Sequence, residues 1–210
     1  MSETTPMQDR ILRAALECMR EQGVRATTTK MIARQAGVSE GSIYNHFTNR
    51  SELIVSAFAM ATREIRHHAE GLEYLVGKNT VTENLVSVAE SIIEFFREVS
   101  PITGSVLGDP ELRSWFADGE VRDLADRSLT PLTGVVEIAS YLEREHAGGR
   151  LPGRASWPVV AAMIIGACQH YVYLELLSPR GIHDVTAEDI SSPAGYAREV
   201  VRTLLDVSAR

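Results

Sequence analysis

The run Thr29-Lys-Met-Ile-Ala-Arg-Gln-Ala-Gly-Val-Ser-Glu-Gly-Ser-Ile-Tyr-Asn-His-Phe47 decides the fold. Ile32, Ala33 and Ala36 precede Gly37, and Val38 and Ile43 follow it, at helical spacing. Two short helices, over 29–36 and about 40–47, therefore meet at a tight turn. Gly37 supplies the left-handed conformation that ends the first helix without a Cβ clash. Ala33 is small, so the second helix can cross close to it. Ser39 follows the turn as an N-cap, its hydroxyl accepting from the amides of the next helix. Such a short rigid helix on a small scaffold fits a DNA major groove.

Outward from this core the pattern stays helical, and no convincing alternating strand occurs. Upstream, Ile11, Leu12, Ala15, Leu16 and Met19 form one apolar stripe that Gly23 brings to an end. Downstream, Asn49-Arg50-Ser51-Glu52 has the form of a capping box, with Asn at N-cap and Glu at N3. It opens a long helix with inner stripe Leu53, Ala57, Phe58, Ala61 and Ile65. Further helices are predicted at about 80–99, 105–117, 120–146, 157–178 and 193–208. Breaks are expected at Gly77, Pro101, Gly104, Gly119, Gly148-Gly149, Pro152-Gly153, Pro179 to Gly181 and Pro193. The class is all-α, with a helix-turn-helix domain over 1–52 and a helical domain over 53–210. Trp157 to Leu177 is apolar almost all round, but Gln169, His170 and Glu175 interrupt it, so a buried helix is expected and no membrane span.

Composition bounds the partners. Of the formal net charge of −7, residues 1–50 contribute seven basic and five acidic groups, or +2, which leaves −9 for the remainder. The basic segment is the candidate nucleic-acid face, and the acidic remainder should avoid phosphates. The start MSETTPMQDR lacks the apolar stretch of a secretory signal. With only Cys18 and Cys168, both in apolar helical contexts, a cytoplasmic protein with inert thiols is expected.

The segment Arg10-Ile-Leu, Ala14-Ala-Leu, Gly23, Ala26-Thr-Thr, Ile32-Ala, Ala36-Gly-Val-Ser, Gly41-Ser-Ile-Tyr-Asn-His-Phe47, Asn49-Arg and Leu53 resembles the DNA-binding domain of the TetR (tetracycline-repressor-like) family. The likeness covers about residues 8–55, three helices in order and spacing. Departures are Met19 for an aromatic, Val24 for Tyr or Phe, Glu40 for Lys or Gln, and Arg50 for Lys. The resemblance implies about nine helices, a homodimer on a palindromic operator in double-stranded DNA, and release from that DNA when a small effector binds.

Ser42 and Asn45 suit hydrogen bonds to base edges, and Gly41 lets the helix backbone approach DNA closely. Glu40 is favoured at the helix start by the dipole and suits a cytosine amino group. Thr28 or Thr29 caps the second helix; with Lys30 they stand where phosphates are met. By resemblance, Tyr44 and His46 contact phosphates or base edges, and Arg50 takes the place of a phosphate-binding lysine.

By the same resemblance, an effector pocket lies in the C-terminal domain, with Phe95, Trp115, Met163, Gly166, His170 and Tyr171 as candidate lining. No Lys or Arg falls within Trp157 to Leu177, which favours a neutral or weakly cationic lipophilic effector. Trp157 to Leu177 and the helix at about 193–208 are expected to pair with their copies. No cofactor and no metal are expected: His67 and His68, being adjacent, point ~100° apart and share a metal poorly. Walker A, Rossmann, HExxH and GxSxG patterns do not occur, so an enzyme is not expected. The alternative is an effector-independent architectural DNA binder of the same fold.

Overall fold

The computed structural model describes residues 6–108, 110, 113–114, 133–153, 155–178 and 191–208, without the side chains of 62–70, 106 and 207–208. Eight α-helices occur among them: α1 Pro6–Ala26, α2 Thr29–Ala36, α3 Glu40–Tyr44, α4 Arg50–Gly71, α5 Val81–Gly108, α6 Thr133–Ala147, α7 Trp157–Leu177 and α8 Pro193–Ser208. A 3-10 turn, Leu72–Leu75, precedes α5. No strand occurs among the described residues. The chain divides into two compact units, the described parts of 1–63 with 98–130 and of 64–97 with 131–210.

The first unit closes over Ile11, Ala15, Met19, Val24, Ile32, Ile43, Phe47, Leu53, Ile54 and Ile102. All are nearly or wholly excluded from solvent, so the stripe read on α1 is a core stripe. Gly23 interrupts α1 as expected, with φ 76° and ψ 159°. On the surface, Arg20 pairs with Glu98 at 3.0 Å and ties α1 to the second half of α5.

The expected break at Pro101 and Gly104 does not occur; α5 runs through both. Proline leaves the Arg97 carbonyl without its helical donor. Burial of Val99 and Ile102 on either side holds the helix together across that gap. The Thr103 and Ser105 hydroxyls donate to the carbonyls of Val99 and Pro101, at 2.8 and 3.2 Å.

The second unit packs α5, α6, α7 and α8 around Leu85, Ile93, Tyr141, Leu142, Ala161, Ile164, Tyr171 and Val201. Its α5 opens with a capping box absent from the sequence reading. The Glu83 amide donates to Thr80 Oγ1 at 3.1 Å, and the Thr80 amide donates back to Glu83 Oε2 at 2.9 Å. Beside it, the carboxylate of Glu145, 1 % exposed, pairs with Arg150 at 3.2 Å and accepts from the Gly77 amide at 3.1 Å. Asn84 donates to the carbonyl of Lys78 and to Tyr141 Oη, both at 2.9 Å. These buried polar groups are satisfied by one another, which lets them sit inside an apolar unit.

Helix α7 is long and apolar enough to cross a membrane by length and composition. Here Trp157, Val160, Ala161, Ile164, Cys168, Tyr171 and Val172 form a core face, while Val159, Met163, Gly166, His170 and Leu177 are exposed. An apolar helix of this kind has a second face in need of cover.

Candidate nucleic-acid interface

The α2–α3 pair is fixed by its own backbone. Gly37 lies at φ 64° and ψ 39°, its amide donating to the Arg34 carbonyl at 3.2 Å. The Val38 amide donates to the Ala33 carbonyl at 2.9 Å. Together these bonds form a Schellman motif, as the sequence predicts from glycine at this position. Thr28, not Thr29, caps α2, accepting from the Met31 amide at 3.2 Å. Ser39 caps α3, accepting from the Ser42 amide at 3.1 Å, and the two serine hydroxyls lie 2.8 Å apart. Asn49 Oδ1 accepts from the Glu52 amide at 2.8 Å, so the predicted cap of α4 is present. Glu52 reaches back one residue further than a regular box, to the Thr48 amide at 2.6 Å.

These caps turn one polar edge outward. Thr28, Lys30, Ser39, Glu40, Gly41, Tyr44 and Asn45 are exposed, and Ser42 and His46 are half-buried. The Tyr44 side chain is 53 % exposed although its neighbour Ile43 is buried. A Cβ built on Gly41 would meet nothing closer than Ser39 Oγ at 3.8 Å, so the helix backbone is open to approach there. His46 lies near the buried Phe47 ring, with centroids 6.5 Å apart.

Two sequence expectations change. Thr29 is buried, and its hydroxyl donates to Glu40 Oε1 at 2.5 Å rather than facing outward. Tyr44 Oη lies 3.5 Å from the same hydroxyl, at the outer limit of a hydrogen bond. Thr29 thus holds the acidic residue of α3, while Thr28 and Lys30 are the residues exposed at the start of α2. Arg50 is also turned inward. Its Nε donates to the Thr27 carbonyl at 2.9 Å, and Nη2 donates to the carbonyls of Val24 at 2.5 Å and Arg25 at 3.5 Å. Its partners lie 23–26 residues away, and no local pattern signals them. Thr27, wholly buried, also escaped the sequence reading; its hydroxyl donates to the Gly23 carbonyl at 2.8 Å.

Of the six residues read as a ligand pocket, Met163, Gly166, His170 and Tyr171 of α7 do not share one surface. Tyr171 is on the core face of α7, donating to the Ser191 carbonyl at 2.8 Å. Met163, Gly166 and His170 are on the exposed face. Among the described residues, nothing lies within 4 Å of a Cβ built at Gly166. Phe95 is half-buried with its ring 5.3 Å from that of Phe96. Trp115 lies outside the described residues, as do the side chains of His67 and His68. No group of three metal-ligating side chains occurs among the described residues.

Helix α7 carries no Lys or Arg of its own. Arg97 of α5 in fact meets α7 through a two-pronged pair with Glu175, at 2.9 and 2.6 Å. Glu175, followed by Glu94, holds the guanidinium firmly protonated despite partial burial.

Residues 11–57 match the family described as bacterial regulatory proteins, tetR family. The chain is 32 % identical over 88 residues to the Fatty acid metabolism regulator protein of Bacillus subtilis, covering 42 % of this chain and 44 % of that one. It thus spans under half the length of that relative. The HTH-type transcriptional regulator UidR of Escherichia coli is 29 % identical over 201 residues, covering 94 % of this chain and 90 % of its own. The structure of the transcriptional regulator FadR from Bacillus subtilis in complex with stearoyl-CoA aligns with a TM-score of 0.60 at 19 % identity, over 96 % of this chain and 98 % of that one. That last likeness is one of fold. The capped helix-turn-helix within residues 11–57 is thus that of the tetR family's DNA-binding segment, and over most of its length the chain is similar to an HTH-type transcriptional regulator.

Proposed function

We propose that this chain is a cytoplasmic, homodimeric repressor that reads a palindromic operator and leaves it when a small lipophilic effector binds. The observation that carries the reading is the α2–α3 pair. Every backbone turn in it is locked by a cap, while Lys30, Ser42, Tyr44 and Asn45 stand at its accessible edge. Lys30 and Thr28 supply positioning contacts to phosphate, and Ser42 and Asn45 supply hydrogen bonds to base edges. The excess of basic groups within residues 1–50, against the acidic remainder, orients that end toward DNA.

The effector half rests on likeness and on packing. The family relatives include a regulator of fatty acid metabolism, and the FadR structure of the same fold holds stearoyl-CoA. Phe95 and Phe96 on α5 supply aromatic surface of the kind an alkyl chain needs. The exposed residues Met163, Gly166 and His170 are better placed to meet a second copy than to line a pocket.

Selection of bound duplexes from a random library tests the reading. A two-fold symmetric sequence with half-sites about one helical turn apart is expected. Stearoyl-CoA, and an alkyl probe without the CoA group, are then added to the complex. Release by either supports a lipophilic effector, and release by neither overturns that half alone. Recovery of no preferred sequence overturns the whole reading.

A further inference from the structure

We infer that Arg50 is a positioning residue of the DNA reader, which sets the α1–α2 connection against the start of α4, and that it is not a phosphate contact. The inference rests on the reading of the N-terminal unit as a DNA binder.

Helix α1 is broken at Gly23, so the carbonyls that follow have no helical donors. The protein supplies donors from two sources. The amide and hydroxyl of Thr27 both donate to the Gly23 carbonyl, at 3.3 and 2.8 Å. Arg50 serves the carbonyls of Val24, Arg25 and Thr27 from one edge of its guanidinium. A cation at the C-terminal end of α1 is also favoured by the helix dipole. Immediately after this connection, Thr28 caps α2, and the buried Thr29 grips Glu40 of α3. Arg50 itself follows Asn49, the cap of α4. A single side chain therefore ties the first turn of α4 to the segment from which the whole α2–α3 reader hangs.

Arginine is required for this, because Nε and Nη2 form a rigid fork that spans carbonyls three residues apart. Lysine keeps the charge but has one nitrogen and no fork. Of the guanidinium's two forked edges, the Nε/Nη2 edge is occupied by Thr27 and Val24 and so is closed to a two-pronged phosphate contact.

The test compares Arg50→Lys and Arg50→Met with the parent on the selected operator, over a range of salt concentrations. A positioning residue predicts that both variants lose about tenfold or more in affinity, because lysine cannot reproduce the fork. It also predicts that the salt slopes remain parallel to the parent, whereas losing one phosphate contact would reduce the slope by about 1. In Arg50→Lys, the amides of residues 24–30 should exchange faster with deuterium than in the parent, while those of Ile11, Ala15 and Met19 stay protected. Arg50→Lys binding like the parent, together with a shallower slope in Arg50→Met, overturns the inference in favour of a phosphate contact. Unchanged exchange at 24–30 in Arg50→Lys overturns it as well, even if Arg50→Met does not fold. A parent that selects no sequence counts instead against the DNA-binding reading.

Discussion

The bond from Thr29 to Glu40 makes two residues of the reader depend on each other. A buried threonine hydroxyl, 2.5 Å from the carboxylate, holds one of its oxygens and leaves Glu40 at the exposed start of α3. Thr29→Val keeps the shape and removes the donor, so the carboxylate loses its fixed orientation. The expected result is a broadened preference at the base pair nearest the start of α3, by about 1–3 kcal/mol of lost discrimination. Glu40→Ala should do the same and also tighten binding to random duplex severalfold, because a like charge facing phosphates has gone. Selection profiles of the two variants beside the parent check this; profiles identical to the parent at every position would rule Glu40 out as a reader. Glu40 was visible in the sequence as a departure from the family pattern. Its partner was not, because Thr29 looks like a cap in sequence, and only the fold shows that Thr28 takes that place and turns Thr29 inward.

Caps were the most legible elements, since their chemistry is local. Gly37, Ser39 and Asn49 each act within four residues, and each occupies the role that its type and position dictate. Their energies can be predicted accordingly. At Gly37 an added Cβ meets nothing within 4 Å, so Gly37→Ala costs only the left-handed backbone, about 1–2 kcal/mol. Asn49→Ala removes the α4 cap and costs about 1 kcal/mol. Both should appear as lower urea midpoints at unchanged slope, and a value near zero for Gly37→Ala would contradict the turn geometry. Helix α5 was misread for the opposite reason. Proline disfavours helix locally, but burial of Val99 and Ile102 overrides it, and that burial depends on contacts distant in sequence. Helix α7 was half legible: being apolar all round, it had no polar face to show which side met the core. Its pocket assignment therefore mixed Tyr171 from one side with Met163 and His170 from the other.

At the scale of the whole molecule, burial sets an alkaline limit and the outer face of α7 offers a surface on which a second copy can be tested. Burial pushes the Cys168 thiol from 9.0 up to about 12, and the Tyr141 and Tyr171 phenols from 10.0 up to about 12. These groups stay protonated in the native state while the unfolded chain releases protons. Their stability contribution is therefore complete below pH about 9 and is lost as pH rises from 9 toward 12. Urea midpoints should fall over that range, and Cys168→Ala should make the fall between about pH 9 and 10 shallower, with what remains there due to Cys18, whose thiol burial also raises from 9.0. Assembly follows from Val159, Met163 and Leu177, which are 54, 53 and 84 % exposed on a helix whose other side is core. Gly166 between them has open space where a Cβ would be, which lets a second helix backbone come close. The α8 stripe of Val200, Leu204 and Leu205 is only partly covered within this chain. A second copy would cover both. Ala161 is a poor test, because it is wholly buried in its own chain and any charge there breaks the core first. Met163→Asp and Gly166→Glu place a carboxylate on the outer face at little cost to the monomer, but inside a dry interface it would be unpaired. Light scattering at micromolar concentration should show a dimer for the parent and a monomer for both variants, with unchanged helicity. The same variants should lose far more affinity for a full operator than for an isolated half-site, since a monomer forfeits the effective concentration that links two readers. A monomeric parent, or variants that remain dimeric, would show that this face is covered by something other than a second copy.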